Sequence, residues 1–205
     1  MKLLLRSLAL TAVLAAALPA SAQEKIPAEE AQRVAHKLHD TIGIPSDAPF
    51  PTDIDPDKPN GFKVGDAGLM ALPDRKLTTA ALDQVTKEPL PVGQLWSLQA
   101  SLATNGRAIT NDQLRLVKVS DGDKSREVQL YYLGAAKNDA GELQLLIFAK
   151  DKMQPVLRVP LKKGSASSSA SPLEIEGRKQ SDDTGLLTIR ILGEYTAEVT
   201  VMKPE

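Results

Sequence analysis

The chain has 205 residues, no cysteine, 42% hydrophobic residues, and 25 basic against 26 acidic side chains, a formal charge of −1. The lack of cysteine excludes disulfide staples and a lipid-modified N-terminal cysteine, so an apolar core must hold the fold. The charge balance lacks the basic excess of a general nucleic-acid binder, and no block of like charge resembles an interaction tail.

Residues 1–22 have the three parts of a secretory signal. Lys2 and Arg6 precede an apolar stretch from Leu8 to Leu18, broken only by Thr11, and Ala20-Ser21-Ala22 supplies the small-x-small pattern of a cleavage site. The stretch is shorter than the roughly 20 residues of a spanning helix, and no later segment is long and apolar enough to cross a bilayer. The expected mature chain starts at Gln23 and carries 23 basic against 26 acidic residues, a net charge near −3. The alanine-rich signal points to a bacterial source, so the expected location is the periplasm, with full secretion second.

Residues 23–43 read as an amphipathic helix, its pattern beginning at Glu24. Pro27 suits the first turn, Glu29 and Glu30 favour its dipole, and Ala31, Val34, Ala35, Leu38 and Ile42 make one apolar stripe, with Gly43 as the stop and Pro45 beyond. Residues 44–61 form a Pro/Asp-rich connector, because prolines at 45, 49, 51, 56 and 59 remove donors and restrict their neighbours.

From residue 62 the hydrophobic period shifts towards two. Leu69 to Leu72 reads as a strand closed by Pro73-Asp74. Leu77 to Val85 fits either two helical turns or a loop that buries Leu82. Val92 to Ala103 reads as one strand with Trp96, Leu98, Ala100 and Leu102 on a shared face, and Asn105-Gly106 is a hairpin turn. The pattern is clearest from residue 112. Leu114 to Val119 leads through Asp121-Gly122 to a strand with Val128, Leu130 and Tyr132 on one face, and a turn follows at Asn138 to Gly141. Leu143 to Lys150 is apolar on nearly both sides. Val156 to Leu161 is flanked by Pro155 and Pro160, as an edge strand tolerates. The Ser/Ala/Gly run at 164–171 reads as a surface loop. Strict alternation then marks three strands, through Leu173 and Ile175, through Leu187, Ile189 and Ile191, and through Tyr195, Ala197, Val199 and Val201.

Many strands joined by short turns, with no room for crossover helices, predict a mostly β, antiparallel two-sheet sandwich over residues 62–205 with an N-terminal helix; a small barrel is the alternative. In architecture alone this resembles immunoglobulin-like sandwiches, without their Cys-Trp-Cys spacing.

Chemistry-bearing patterns are sparse. His36 and His39, three apart on the helix, present two rings that suit Zn²⁺ if a carboxylate joins them. Asp53, Asp55 and Asp57 alternate like the start of a Ca²⁺ loop, but Lys58 stands where the EF-hand needs Gly and Val64 where it needs Glu. No G-x-S-x-G elbow or glycine-rich phosphate cradle is present. Trp96, Tyr131 and Tyr132 are the aromatic candidates for a ligand face, since glycan sites use flat rings, and the two tyrosines must point to opposite sides of their strand. The sequence-level expectation is an exported, non-enzymatic recognition or structural protein of the cell envelope, with an envelope protein or a glycan as partner. A carbohydrate-binding module or a hydrolase of an extracellular polymer is the alternative.

Overall fold

The computed structural model describes residues 23–42, 48–121, 124–165 and 171–204. The signal at 1–22, the helix stop at Gly43 and Pro45, and Gly122 of the expected turn lie outside the described residues, as does 166–170 of the Ser/Ala/Gly run. In chain order the elements are β1 (Glu24–Lys25), α1 (Ala28–Ile42), β2 (Asn60–Val64), β3 (Ala67–Pro73), α2 (Thr79–Asp83), β4 (Leu90–Leu98), β5 (Ser101–Thr104) and β6 (Arg107–Ala108). They continue with β7 (Leu116–Asp121), β8 (Lys124–Lys137), β9 (Leu143–Phe148), β10 (Leu157–Pro160), β11 (Lys162–Lys163), β12 (Leu173–Lys179), β13 (Thr184–Ile191) and β14 (Tyr195–Met202).

The strands form two antiparallel sheets. The first runs β1-β2-β3-β4-β8-β9-β10, with β7 also on β8; the second runs β12-β13-β14-β5-β6, with β11 on β14. Neither closes on itself, so the barrel alternative falls and the two-sheet sandwich stands. Strand β8 is long enough to serve two partners along one edge. Gln129 pairs with Ser97 of β4 on one side and with Leu116 of β7 on the other, and β9 takes over that second edge from Tyr132 onward.

Period-two alternation decides which residues meet. Leu95, Tyr131, Leu133, Leu145 and Ile147 of the first sheet face Leu173, Leu187, Ile189 and Ile191 of the second, all at 0% exposure, and make the inter-sheet core. The opposite face of the first sheet carries Met70, Leu72, Trp96, Leu130, Tyr132, Leu146 and Phe148, and this face is covered by α1 and the connector. Three layers result. Strand β9 is apolar on both sides because it lies between two cores.

Two expectations are corrected. The helix begins at Ala28, not Glu24: Glu24 and Lys25 pair with Lys63 and Phe62 of β2, and Ile26 is disfavoured as helix because Pro27 follows it. The stretch from Val92 to Ala103 is two strands, since Gln99 adopts φ 56° and Ser97 Oγ closes the bend by donating to Ala100 O. Trp96 therefore lies under α1 while Leu102 enters the inter-sheet core. The connector lies over the first sheet and is stitched to it. Asp55 N donates to Pro73 O at 2.8 Å, Arg75 N to Asp53 O at 2.7 Å, and the Phe50 ring meets Tyr132 and Phe148 edge-on. The Leu77–Val85 ambiguity resolves as the single short helix α2, capped by Thr78 Oγ1, with Leu82 buried.

The Asn105-Gly106 turn forms as expected, with φ of 51° and 75° between the paired Thr104 and Arg107. Edge strand β12 is protected differently. Its outward amides at Leu173, Ile175 and Gly177 donate to Ser171 Oγ, Asn60 Oδ1 and Gln23 Oε1, so side chains occupy the positions a further strand would use.

Candidate ligand cleft

Of the residues singled out for metal chemistry, the fold brings His36 and Asp57 into contact and sets Asp53 and Asp55 on Arg75. His36 Nε2 lies 2.9 Å from Asp57 Oδ1, and Gln32 Nε2 donates to Asp57 O at 2.9 Å, so one turn of α1 clasps the connector. His39 Nδ1 lies 3.4 Å from its neighbour Asp40. Asp53 and Asp55 face Arg75 at 3.5 and 3.4 Å, and Asp55 also pairs with Lys58. Among the described residues no group of three or more His, Cys, Asp or Glu side chains is placed to hold a metal ion. The aromatic candidates are all buried: Trp96 is 1% exposed and Tyr131 and Tyr132 are 0% exposed. Tyr131 points into the inter-sheet core and Tyr132 into the layer under the connector, on opposite sides of β8. A flat stacking platform is not what these rings make.

Asp74 anchors the connector from below. Its Oδ2 accepts from Asp53 N at 2.7 Å and its Oδ1 from Lys76 N at 2.9 Å, and the residue is 2% exposed. Burial pushes its carboxyl above the usual aspartate range, although both backbone donors pull it down. The folded state therefore holds the Asp74 proton more tightly than the unfolded chain. Its contribution to stability is greatest below the ordinary aspartate pKa and is lost as pH rises through the raised one. Urea unfolding between about pH 4 and pH 7 should show wild type losing stability relative to Asp74→Asn as pH rises. A constant difference would remove this assignment.

Between α1 and the exposed end of the first sheet runs an open cleft of about 500 Å³. That volume falls within the roughly 300–1,000 Å³ of small-molecule sites. Its apolar wall comes from Val34 on α1, Leu98 at the end of β4, Val119 on β7 and Val128 on β8, all half-buried. The indole of Trp96, the sole tryptophan, lies beneath, with Nε1 donating to Gln94 Oε1 at 3.1 Å. Arg33, Lys37, Lys63, Lys124 and Arg126 line the rim against two acids, Glu30 and Asp66. Lys63 Nζ donates to Glu30 Oε1 at 2.6 Å, and this bond holds the Glu30 carboxyl below its usual range.

The sequence left this site unread, although two signals point to it. Arg33 and Lys37 lie four apart on α1, a like-charge spacing that costs an isolated helix a few tenths of a kcal/mol. Lys124 and Arg126 continue the Val128, Leu130 and Tyr132 face of β8, so the stripe turns from apolar to cationic where the β7–β8 hairpin leaves the sheet. A second, smaller cleft of about 250 Å³ lies between β2 and β12. Much of its polar lining is engaged within the fold: Asn60 and Gln23 hold β12, and Arg190 pairs with Glu174 at 3.6 Å.

No protein-family model matches the chain, and neither a curated protein nor a solved structure matches it. No helix among the described residues is long and apolar enough to cross a membrane.

Proposed function

We propose that the protein is exported, to the periplasm or beyond, and acts there as a non-enzymatic recognition protein of the cell envelope, with the cleft beside α1 as its binding surface. The positively charged, apolar and small-residue parts of 1–22 support export. The observation that carries the recognition reading is the cleft: an apolar wall edged by cations, built mainly on sheet and helix. A concavity of about 500 Å³ that combines apolar and charged side chains matches the size and make-up of small-molecule sites. The likeness to immunoglobulin-like domains is confined to two facing antiparallel sheets. The glycan reading loses its main support once Trp96, Tyr131 and Tyr132 are buried, and an envelope protein remains a partner for other faces of the sandwich.

Chemical-shift mapping of the isotope-labelled mature protein against a small-molecule extract of its compartment tests this. The expected result is saturable shifts centred on Val34, Leu98, Val119 and Val128, with the bound compound recovered unchanged. Shifts centred elsewhere, such as on His36 and Asp57, or steady consumption of a compound, would contradict the proposal.

A further inference from the structure

We infer that the occupant of this cleft is a single-chain anionic amphiphile, a molecule with one aliphatic tail and an acidic head. The inference rests on the cleft being a binding site and adds the chemistry of what it binds. Charge is the first argument. The lining carries five basic and two acidic side chains on a mature chain whose net charge is near −3, so the cleft is a cationic island that attracts anions. Glu30 and Lys63 are engaged to each other, and Arg33 also acts on the Glu30 carboxylate.

Backbone pairing is the second argument. Strands β3 and β4 beneath the cleft are paired on both edges and offer a peptide no main-chain partners, whereas residues 124–128 of β8 pair with β7 alone. A peptide lying over β3 and β4 would bury amides without hydrogen bonds, at a cost of one to several kcal/mol each. An aliphatic tail carries no such groups. Arg33, Lys124 and Arg126 are exposed while the valines and Leu98 are half-buried, which separates head from tail as an amphiphile requires. Residues 33 and 37 on α1 and 124 and 126 on the hairpin place that head between two elements.

Full-length mature protein titrated with dodecyl phosphate below its micelle threshold tests this, read by calorimetry and by quenching of Trp96 with the bromine-labelled analogue. Saturable quenching is expected, with dodecyl maltoside, inorganic phosphate and an acidic, apolar peptide each binding at least about tenfold more weakly. Lys124→Glu with Arg126→Glu, on the exposed hairpin, should weaken dodecyl phosphate by about tenfold or more while circular dichroism stays unchanged. Equal binding of the uncharged amphiphile, equal binding of the peptide, or indifference to the charge reversal would overturn the inference. If dodecyl phosphate fails while a natural compound still maps to Val34 and Val128, the ligand class is wrong and the recognition reading stands; if that compound maps elsewhere, both fall. Quenching only in the presence of vesicles would assign the head to a membrane surface and equally overturn a free amphiphile.

Discussion

Gly93→Ala should destabilise the protein by roughly 3–5 kcal/mol, the sum expected from backbone strain and from overpacking. Gly93 lies where β4 shifts register between Pro91 and Gly93, and it adopts φ 153°. A Cβ there would press on the Leu72 carbonyl oxygen and come within 2.9 Å of Leu173 Cδ2 and 3.0 Å of Pro73 Cα. Neither neighbour can yield cheaply. Leu72 and Pro73 belong to β3, held between two strands, and Leu173 belongs to the opposing sheet at 0% exposure. The bulge also lets Val92 O accept from Asp74 N at 2.9 Å, so the strain would reach the buried carboxylate under the connector. Gly68→Ala is the internal control: its Cβ would meet nothing nearer than Phe62 O at 4.0 Å. Urea unfolding of the two variants should give a large loss for the first and a change within about 0.5 kcal/mol for the second.

Tyr131 should be the costliest single side chain to remove, because it joins the two sheets by packing and by hydrogen bonds together. Its hydroxyl donates to Gln129 Oε1 at 2.6 Å and accepts from Leu102 N of the other sheet at 3.4 Å. Burial raises its pKa, despite donors from Ser101 and Leu102, so the phenol stays protonated and able to donate. Tyr131→Ala leaves a large void at 0% exposure and should cost about 3–5 kcal/mol, as buried aromatic truncations do. Tyr131→Phe keeps the ring and strands the Gln129 oxygen and the Leu102 amide, for about 1–3 kcal/mol. Denaturant midpoints of both variants check the order. If Tyr131→Phe costs as much as Tyr131→Ala, the ring does not fill the core as described.

Strict alternation made the sandwich legible. The Leu187, Ile189 and Ile191 stripe and the Tyr195, Ala197 and Val199 stripe are buried as their period requires, and the doubly apolar β9 lies between two cores. Short-range chemistry was equally readable at Asn105-Gly106 and at Asn138, whose Oδ1 accepts from Ala140 N and Glu142 N. What stayed hidden depends on contacts distant in sequence. The corner at Gln99 is invisible to periodicity, because apolar residues continue on both sides while the backbone changes sheet. The prolines of the connector say nothing of what it packs on, and Phe50 and Ile54 turn out to be its apolar anchors, at 9% and 5% exposure. The cleft needed α1, the β2–β3 turn and the β7–β8 hairpin to converge, and its cations are ordinary surface charges until that happens. The candidate metal residues were chosen by spacing alone; Asp57 instead meets His36 and Gln32 as a clasp.

A crystal structure of residues 23–205 grown with dodecyl phosphate would be decisive. The account predicts α1 lying over Met70 and Trp96 and an aliphatic tail along Val34, Leu98 and Val128, its head between Arg33 and Arg126. An α1 lifted off the sheet, or a cleft closed by the protein's own side chains, would contradict it.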